Sequence, residues 1–128
     1  MSQASEPKKI LIIDDNAAVR STLEALFKES GYSTVTAENG LDGLYKAKQE
    51  SPDIVLLDIM LPGMDGYRVC RMIKMDQNLK RIPVVMLTSR MGEEDREKAF
   101  ESGADGFLIK ATRVEIILQE IRDKLGQK

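Results

Sequence analysis

IVLLDIMLPGMDG, residues 54–66, runs four apolar residues into a carboxylate and then into a Pro-Gly turn. Ile54–Leu57 is too short for a helix and too uniformly apolar for a strand with one face in water. It reads as a strand buried on both faces, and such strands belong to parallel sheets covered by helices above and below. Asp58 stands where this strand ends, with no basic residue beside it in sequence. A charge carried to the end of a buried strand needs partners from elsewhere in the chain.

Working outward, the same alternation recurs. Residues 10–13 form an apolar run. Asn16 then serves as a helix cap, Val19, Leu23, Leu26 and Phe27 fall at helical spacing, and Gly31 is the stop. Residues 33–37 are rich in β-branched types and read as a strand, and residues 40–50 as a helix through Leu41, Leu44 and Ala47, halted by Pro52. After residue 58, Asp65 caps a helix carrying Val69, Met72 and Ile73, and Pro83 opens an apolar strand over 84–87. A polar helix over 92–102 has Ala99 and Phe100 as its apolar face and ends at Gly103, before a fifth strand at 107–109. Thr112 with Glu115 spells a capping box for a last helix striped by Val114, Ile117, Leu118, Ile121 and Leu125. Five strands alternating with five helices predict a doubly wound α/β three-layer sandwich on a five-stranded parallel sheet.

Composition narrows the chemistry. The chain has 128 residues, 19 basic and 21 acidic, interspersed rather than in blocks. That balance leaves no electrostatic footprint for direct nucleic-acid binding. No run approaches the ~18 apolar residues of a membrane span, and the first eight residues lack the apolar core of a secretory signal. We read 1–8 as a disordered lead-in and 9–126 as a single domain. The absence of histidine excludes Ser-His and Cys-His pairs and removes the commonest zinc ligand. One cysteine, Cys70, excludes an internal disulfide, fits a cytoplasmic setting, and reads as a small buried hydrophobe. The methionines at 60, 64, 72, 75, 86 and 91 read as core filler or loop packing.

Ligands of doubly wound folds bind at the carboxyl ends of the strands. Here those ends carry Asp14 and Asp15 (first strand), Asp58 (third), Thr88 (fourth) and Lys110 (fifth). Singly, each has an ordinary explanation: a helix cap, a turn residue, a β-branched strand end, a solvated charge. Jointly they gather three carboxylates, a hydroxyl and an ammonium. Clustered carboxylates call for a cation, and an all-oxygen donor set suits Mg²⁺. Lys110 suits a phosphoryl oxygen and Thr88 offers a donor, so the set points to phosphoryl transfer with an aspartate nucleophile.

On "LIIDDNAAVR", "DIVLLDIMLPGMDGYRV", "PVVMLTSR" and "SGADGFLIK", in that order from about Lys9 to Leu125, the chain resembles the receiver domain of two-component response regulators. The stand-alone, chemotaxis-regulator-like form is the nearest match in style, with the N-terminal receiver of a longer protein left open. The resemblance implies a flavodoxin-like fold with strand order 2-1-3-4-5. It implies Asp58 as phosphoacceptor from a sensor histidine kinase or phosphotransfer protein, and Asp14, Asp15, Asp58 and the Met60 backbone carbonyl as Mg²⁺ ligands. Lys110 would contact the acyl phosphate. Thr88 and Phe107 would form a switch that changes the surface of the fourth helix, fifth strand and fifth helix for a downstream protein partner. Such a domain catalyses its own phosphorylation and slow dephosphorylation without being a conventional enzyme.

Two positions depart from the family pattern. The usual proline after the lysine, joined by a cis bond, is Ala111, so a trans Lys110–Ala111 peptide is expected. Position 113 is arginine where an acidic cap is common, and with Arg90 and Arg96 it tints the output face basic. Ile116 lies beside the apolar stripe of the last helix and is read as core packing, with a partner contact as the alternative. Among other classes, a haloacid-dehalogenase-type phosphohydrolase would want a second acid where Met60 stands. A flavodoxin-like electron carrier would want a glycine- and hydroxyl-rich loop in place of "DDNAAVR", and a pseudo-receiver would usually have lost its acids.

Overall fold

The computed structural model describes residues 6–89 and 92–127, so residues 1–5 of the lead-in, Arg90 and Met91 lie outside the described residues. The elements are β1 (Lys9–Ile13), α1 (Ala17–Glu29), β2 (Ser33–Ala37), α2 (Gly40–Glu50), β3 (Ile54–Leu57), α3 (Gly66–Met75), β4 (Val84–Thr88), α4 (Glu93–Glu101), β5 (Gly106–Ile109) and α5 (Val114–Lys124). Every strand pairing is parallel, in the order β2-β1-β3-β4-β5. The doubly wound sandwich read from the sequence is therefore the fold. Among the described residues no helix is long and apolar enough to cross a membrane.

Local signals explain the boundaries. Asn16 Oδ1 accepts from the Val19 N–H (3.0 Å), Asn39 Oδ1 from the Asp42 N–H (2.8 Å) and Asp65 Oδ1 from the Arg68 N–H (3.0 Å). Each such cap stabilises its helix by about 0.5–2 kcal/mol. The N-terminal edge of the sheet is tied by two aspartates that sequence reading left without a role. Asp53 Oδ2 takes the Lys9 N–H and Asp105 Oδ2 the Val84 N–H, each at 2.8 Å.

Period-two alternation splits each central strand between two cores. Leu11, Ile13, Val55, Leu57, Val84 and Met86 face α2, α3 and α4. Ile10, Ile12, Ile54, Leu56, Val85 and Leu87 face α1 and α5, where Phe27 and Ile121 are fully buried. With both faces covered, each strand brings about 1.5–3 kcal/mol per large side chain of burial, which is why these runs are uniformly apolar.

Four expectations need correction. No capping box forms at residue 112: Arg113 is the N-cap of α5 and makes no side-chain cap bond. The Thr112 N–H, which a box would give to Glu115, is already donated to the Ile109 carbonyl (3.0 Å) in the turn leaving β5. Leu41, Met72, Phe100 and Val114, placed on apolar stripes, are exposed, because the sheet covers a narrower arc of each helix than their spacing allows. Phe100 instead lies under the Arg96 guanidinium, 5.2 Å from its ring centroid. Ile116 is 51% exposed, so it is not core. Of the methionines, Met86 is buried and Met64 packs partly, while Met60, Met72 and Met75 stand in solvent.

Cys70 is buried as expected, and desolvation pushes its thiol above the ordinary 9.0, partly opposed by a hydrogen bond with Ser102. Burial likewise raises Tyr32 above 10.0. Each group keeps its proton in the folded chain at pH values where the unfolded chain has lost it. The stability these two groups contribute is therefore fully present below pH 9.0 and is lost as pH rises past it. The urea midpoint is expected to hold from neutral pH to about 9 and to drop by pH 10–11. The drop should be shallower in Cys70→Ala; an identical profile in that variant would refute the assignment to Cys70.

Candidate functional site

The register Ile13↔Leu57 between β1 and β3 sets Asp14 and Asp58 side by side, one step past each strand. Their backbones continue the ladder: the Asp58 N–H donates to the Ile13 carbonyl (3.0 Å) and the Asp14 N–H to the Ala37 carbonyl (3.1 Å). This is the switch point, where the chain leaves β1 toward one edge of the sheet and β3 toward the other, and where such folds open a crevice. Asp14 and Asp58 are 3% and 4% exposed, whereas Asp15 faces solvent. One carboxylate oxygen from each of the three lies within 4.8 Å of the others.

Lys110 answers the question of what neutralises Asp58. Its Nζ lies 2.9 Å from Asp58 Oδ2 and 2.8 Å from Asp14 Oδ2. β5 does not adjoin β3, so the four-carbon stem must pass over the end of β4 to arrive there. A backbone bond from the Lys110 N–H to the Thr88 carbonyl (2.8 Å) anchors the start of that reach. Desolvation pulls the lysine pKa down, but hydrogen bonds and charge from Asp14 and Asp58 outweigh it and leave the ammonium held above its ordinary value. No peptide bond among the described residues is cis, so Lys110–Ala111 is trans, as the alanine implies.

The remaining residues surround this centre. Thr88 ends β4 and is fully buried, and Phe107 on β5 is partly buried against the core beside Met86. The Met60 N–H donates weakly to Asp58 Oδ1 (3.4 Å), while its side chain points outward. Asp14 Oδ1 accepts from the Asn16 N–H (2.9 Å), so one short loop both caps α1 and orients the first acid.

Sequence reading gave Arg20 no role, although it closes the segment "LIIDDNAAVR". Its guanidinium donates to the Asp14 carbonyl (2.8 Å) and lies 3.9 Å from Glu38, strapping α1 to the ends of β1 and β2. The signal was available: with Asn16 as cap, Arg20 falls just over one helical turn later and points back over the strand end.

The donor set is wholly oxygen, clustered and rich in negative charge, which fits a hard divalent cation of the Mg²⁺ type rather than a softer metal. A nucleophilic carboxylate beside a fixed ammonium is equipped for attack on phosphorus.

Known proteins share both the fold and much of the sequence. A profile of the response regulator receiver domain matches residues 10–122. Protein PilG of Pseudomonas aeruginosa is 38% identical over 122 residues, covering 95% of this chain and 90% of PilG. Response regulator PleD of Caulobacter vibrioides is 39% identical over 129 residues, covering 91% of this chain but 28% of PleD. The receiver domain of the sensor histidine kinase PA1611 from Pseudomonas aeruginosa, solved with a magnesium ion coordinated in its active-site cleft, superposes with a TM-score of 0.87. That match has 26% identity and covers 94% of this chain and 99% of the other. An acidic crevice at the switch point and a profile spanning nearly the whole sheet lead to one assignment: the chain belongs to the response regulator receiver domain family of two-component signalling.

Proposed function

We propose that this chain is a phosphorelay switch, residues 9–126 forming its receiver domain, in which Asp58 accepts a phosphoryl group from a phosphohistidine. The donor would be a sensor histidine kinase or a phosphotransfer protein of the cytoplasm. The observation that carries this reading is Lys110 Nζ lying within 2.9 Å of both Asp14 and Asp58 at the switch point.

One Asp58 oxygen attacks phosphorus in line with the scissile P–N bond; the O–P bond forms, the P–N bond breaks, and the imidazole leaves neutral after taking a proton. The carboxylate needs no deprotonation first, so no histidine base is required. Lys110 holds the carboxylate in place and then follows the new charge onto a phosphoryl oxygen. A bound Mg²⁺, with Asp14, Asp15, Asp58 and the Met60 carbonyl as its protein ligands, would supply charge neutralisation for the phosphoryl oxygens. Thr88 would donate its hydroxyl to the phosphoryl group, and Phe107 would move with it. The surface of α4, β5 and α5 would then change for a downstream protein. That surface already exposes Phe100, Val114 and Ile116. Water attack on the acyl phosphate, releasing inorganic phosphate, resets Asp58.

The test is intact-mass measurement after incubation with Mg²⁺ and a small acyl-phosphate donor. One added phosphoryl group, which does not form when a chelator is present from the start, supports the reading. No adduct would turn the assignment toward a binding module that works without phosphorylation.

A further inference from the structure

Every polar group of Asp14 is engaged. Its N–H donates to the Ala37 carbonyl (3.1 Å) and its carbonyl accepts from the Arg20 guanidinium (2.8 Å). Its Oδ1 accepts from the Asn16 N–H (2.9 Å), and its Oδ2 lies 2.8 Å from Lys110 Nζ. Asp15 is the opposite case. Its side chain faces solvent and makes no hydrogen bond or ion pair among the described residues. Yet one of its oxygens lies within 4.8 Å of an oxygen of Asp14 and one of Asp58.

A carboxylate without a side-chain partner is placed by its backbone. The peptide unit joining Asp14 to Asp15 is planar, so the direction of the Asp14 carbonyl and the position of the Asp15 Cα vary together. Of the groups bonded to Asp14, Arg20 is the one that holds this plane. Its backbone is fixed in turn, since the Arg20 N–H donates to the Asn16 carbonyl (3.0 Å) at the start of α1. The other contact of the guanidinium is loose: Glu38 lies 3.9 Å away with its side chain 68% exposed, a geometry that contributes little. The bond to the Asp14 carbonyl is therefore what orients the guanidinium.

We propose that Arg20 is a positioning residue for the metal site, fixing the Asp14–Asp15 peptide so that the Asp15 carboxylate is held where it can share a Mg²⁺ with Asp14 and Asp58. This rests on the phosphorelay reading above, from which the Mg²⁺ ligands are taken. The role acts through the backbone, and the charge of Arg20 acts with the opposite sign. A cation near three carboxylates opposes a second cation, so by charge alone its removal would tighten Mg²⁺ binding. Loss of a group that orients a ligand loosens binding, by about 10–100-fold at metal sites.

The test is calorimetric titration of Mg²⁺ alone into the full chain. Arg20→Met keeps most of the stem and loses the donor, and the dissociation constant for Mg²⁺ is expected to rise about tenfold. Arg20→Lys keeps the charge on a shorter, single-headed donor and should show a smaller loss in the same direction. Glu38→Gln should bind as the wild type does. With the small acyl-phosphate donor added, the defect of Arg20→Met should fall on the Mg²⁺ concentration for half-maximal adduct formation rather than on the maximal rate. In the metal-free chain, the carbonyl ¹³C resonance of Asp14 should move in Arg20→Met and stay in Glu38→Gln.

Unchanged or tighter Mg²⁺ binding in Arg20→Met, or an equal loss in Glu38→Gln, would overturn the proposal. So would a fall in melting temperature with unaltered Mg²⁺ affinity, the mark of a strap that only holds α1 to the sheet. Where the methionine variant does not fold, the lysine variant decides, and no loss there overturns the role. A wild-type chain that binds no Mg²⁺ would remove the ligand set and the role of Arg20 with it. One that binds Mg²⁺ and forms no adduct would remove only the role given to Asp58.

Discussion

Asp58→Asn is expected to abolish the phosphoryl adduct while leaving the fold intact. The amide is nearly isosteric with the carboxylate and keeps an oxygen that can accept from Lys110, which approaches Asp58 at 2.9 Å. What it loses is the anionic nucleophile, and an amide oxygen does not form a stable acyl phosphate. Intact mass after incubation with the small donor should show one adduct on the wild-type chain and none on the variant, with unchanged circular dichroism. An adduct that persists would move the chemistry to Asp14 or Asp15 and overturn the role given to Asp58. Lys110→Met separates the two functions of the site: the nucleophile remains, so a slow adduct should survive, reduced by about 10²–10³-fold through loss of fixed charge at the phosphoryl group.

Gly66→Ala should be the most disruptive single methyl in the domain. A Cβ at this position would run into the Asp58 carbonyl oxygen, and would lie 2.7 Å from Ile59 Cα and 2.9 Å from the Asp58 carbonyl carbon. All three are backbone atoms, so no rotamer change relieves the contact. The start of α3 must retreat, straining the bond from the Gly66 N–H to the Ile59 carbonyl (2.8 Å). Overpacking of this kind costs about 1–3 kcal/mol and at times more. In a domain of this size that is a fall in melting temperature of roughly 4–15 °C. Because the clash bears on Asp58 itself, adduct formation should also slow, by up to about a hundredfold for a displacement near 1 Å. Gly31→Ala is the control: its φ of +94° carries strain, but a Cβ there meets nothing within 4 Å. It should lose about 1 kcal/mol without touching the phosphorylation rate. Equal rate losses in the two variants would refute the steric link between α3 and Asp58.

Much of the fold was legible because its signals are local. Residues 54–57 and 33–37 are strands as read, and Asn16 and Asp65 cap helices as read. A cap needs only a side chain and an N–H three residues on, and an apolar run of four states its own burial. The misreadings share one cause. Leu41, Met72, Phe100 and Val114 were given to the core by helical spacing, but spacing defines a stripe, not how wide an arc the sheet covers. Thr112 and Glu115 satisfy the letter of a capping box, yet the Thr112 N–H was taken by a turn that depends on where β5 ends.

The carboxyl-edge residues follow the same division. By itself the sequence determined that Asp14, Asp15, Asp58, Thr88 and Lys110 end strands of a parallel sheet, because the apolar runs before them leave no other place for polar groups. The order that lays β1 against β3 entered the sequence reading only through the family resemblance, and only the tertiary structure decided that Asp14 stands beside Asp58 and that Lys110 crosses the end of β4 to reach both. Strand order comes from pairing between segments far apart in the chain, and no local pattern encodes it.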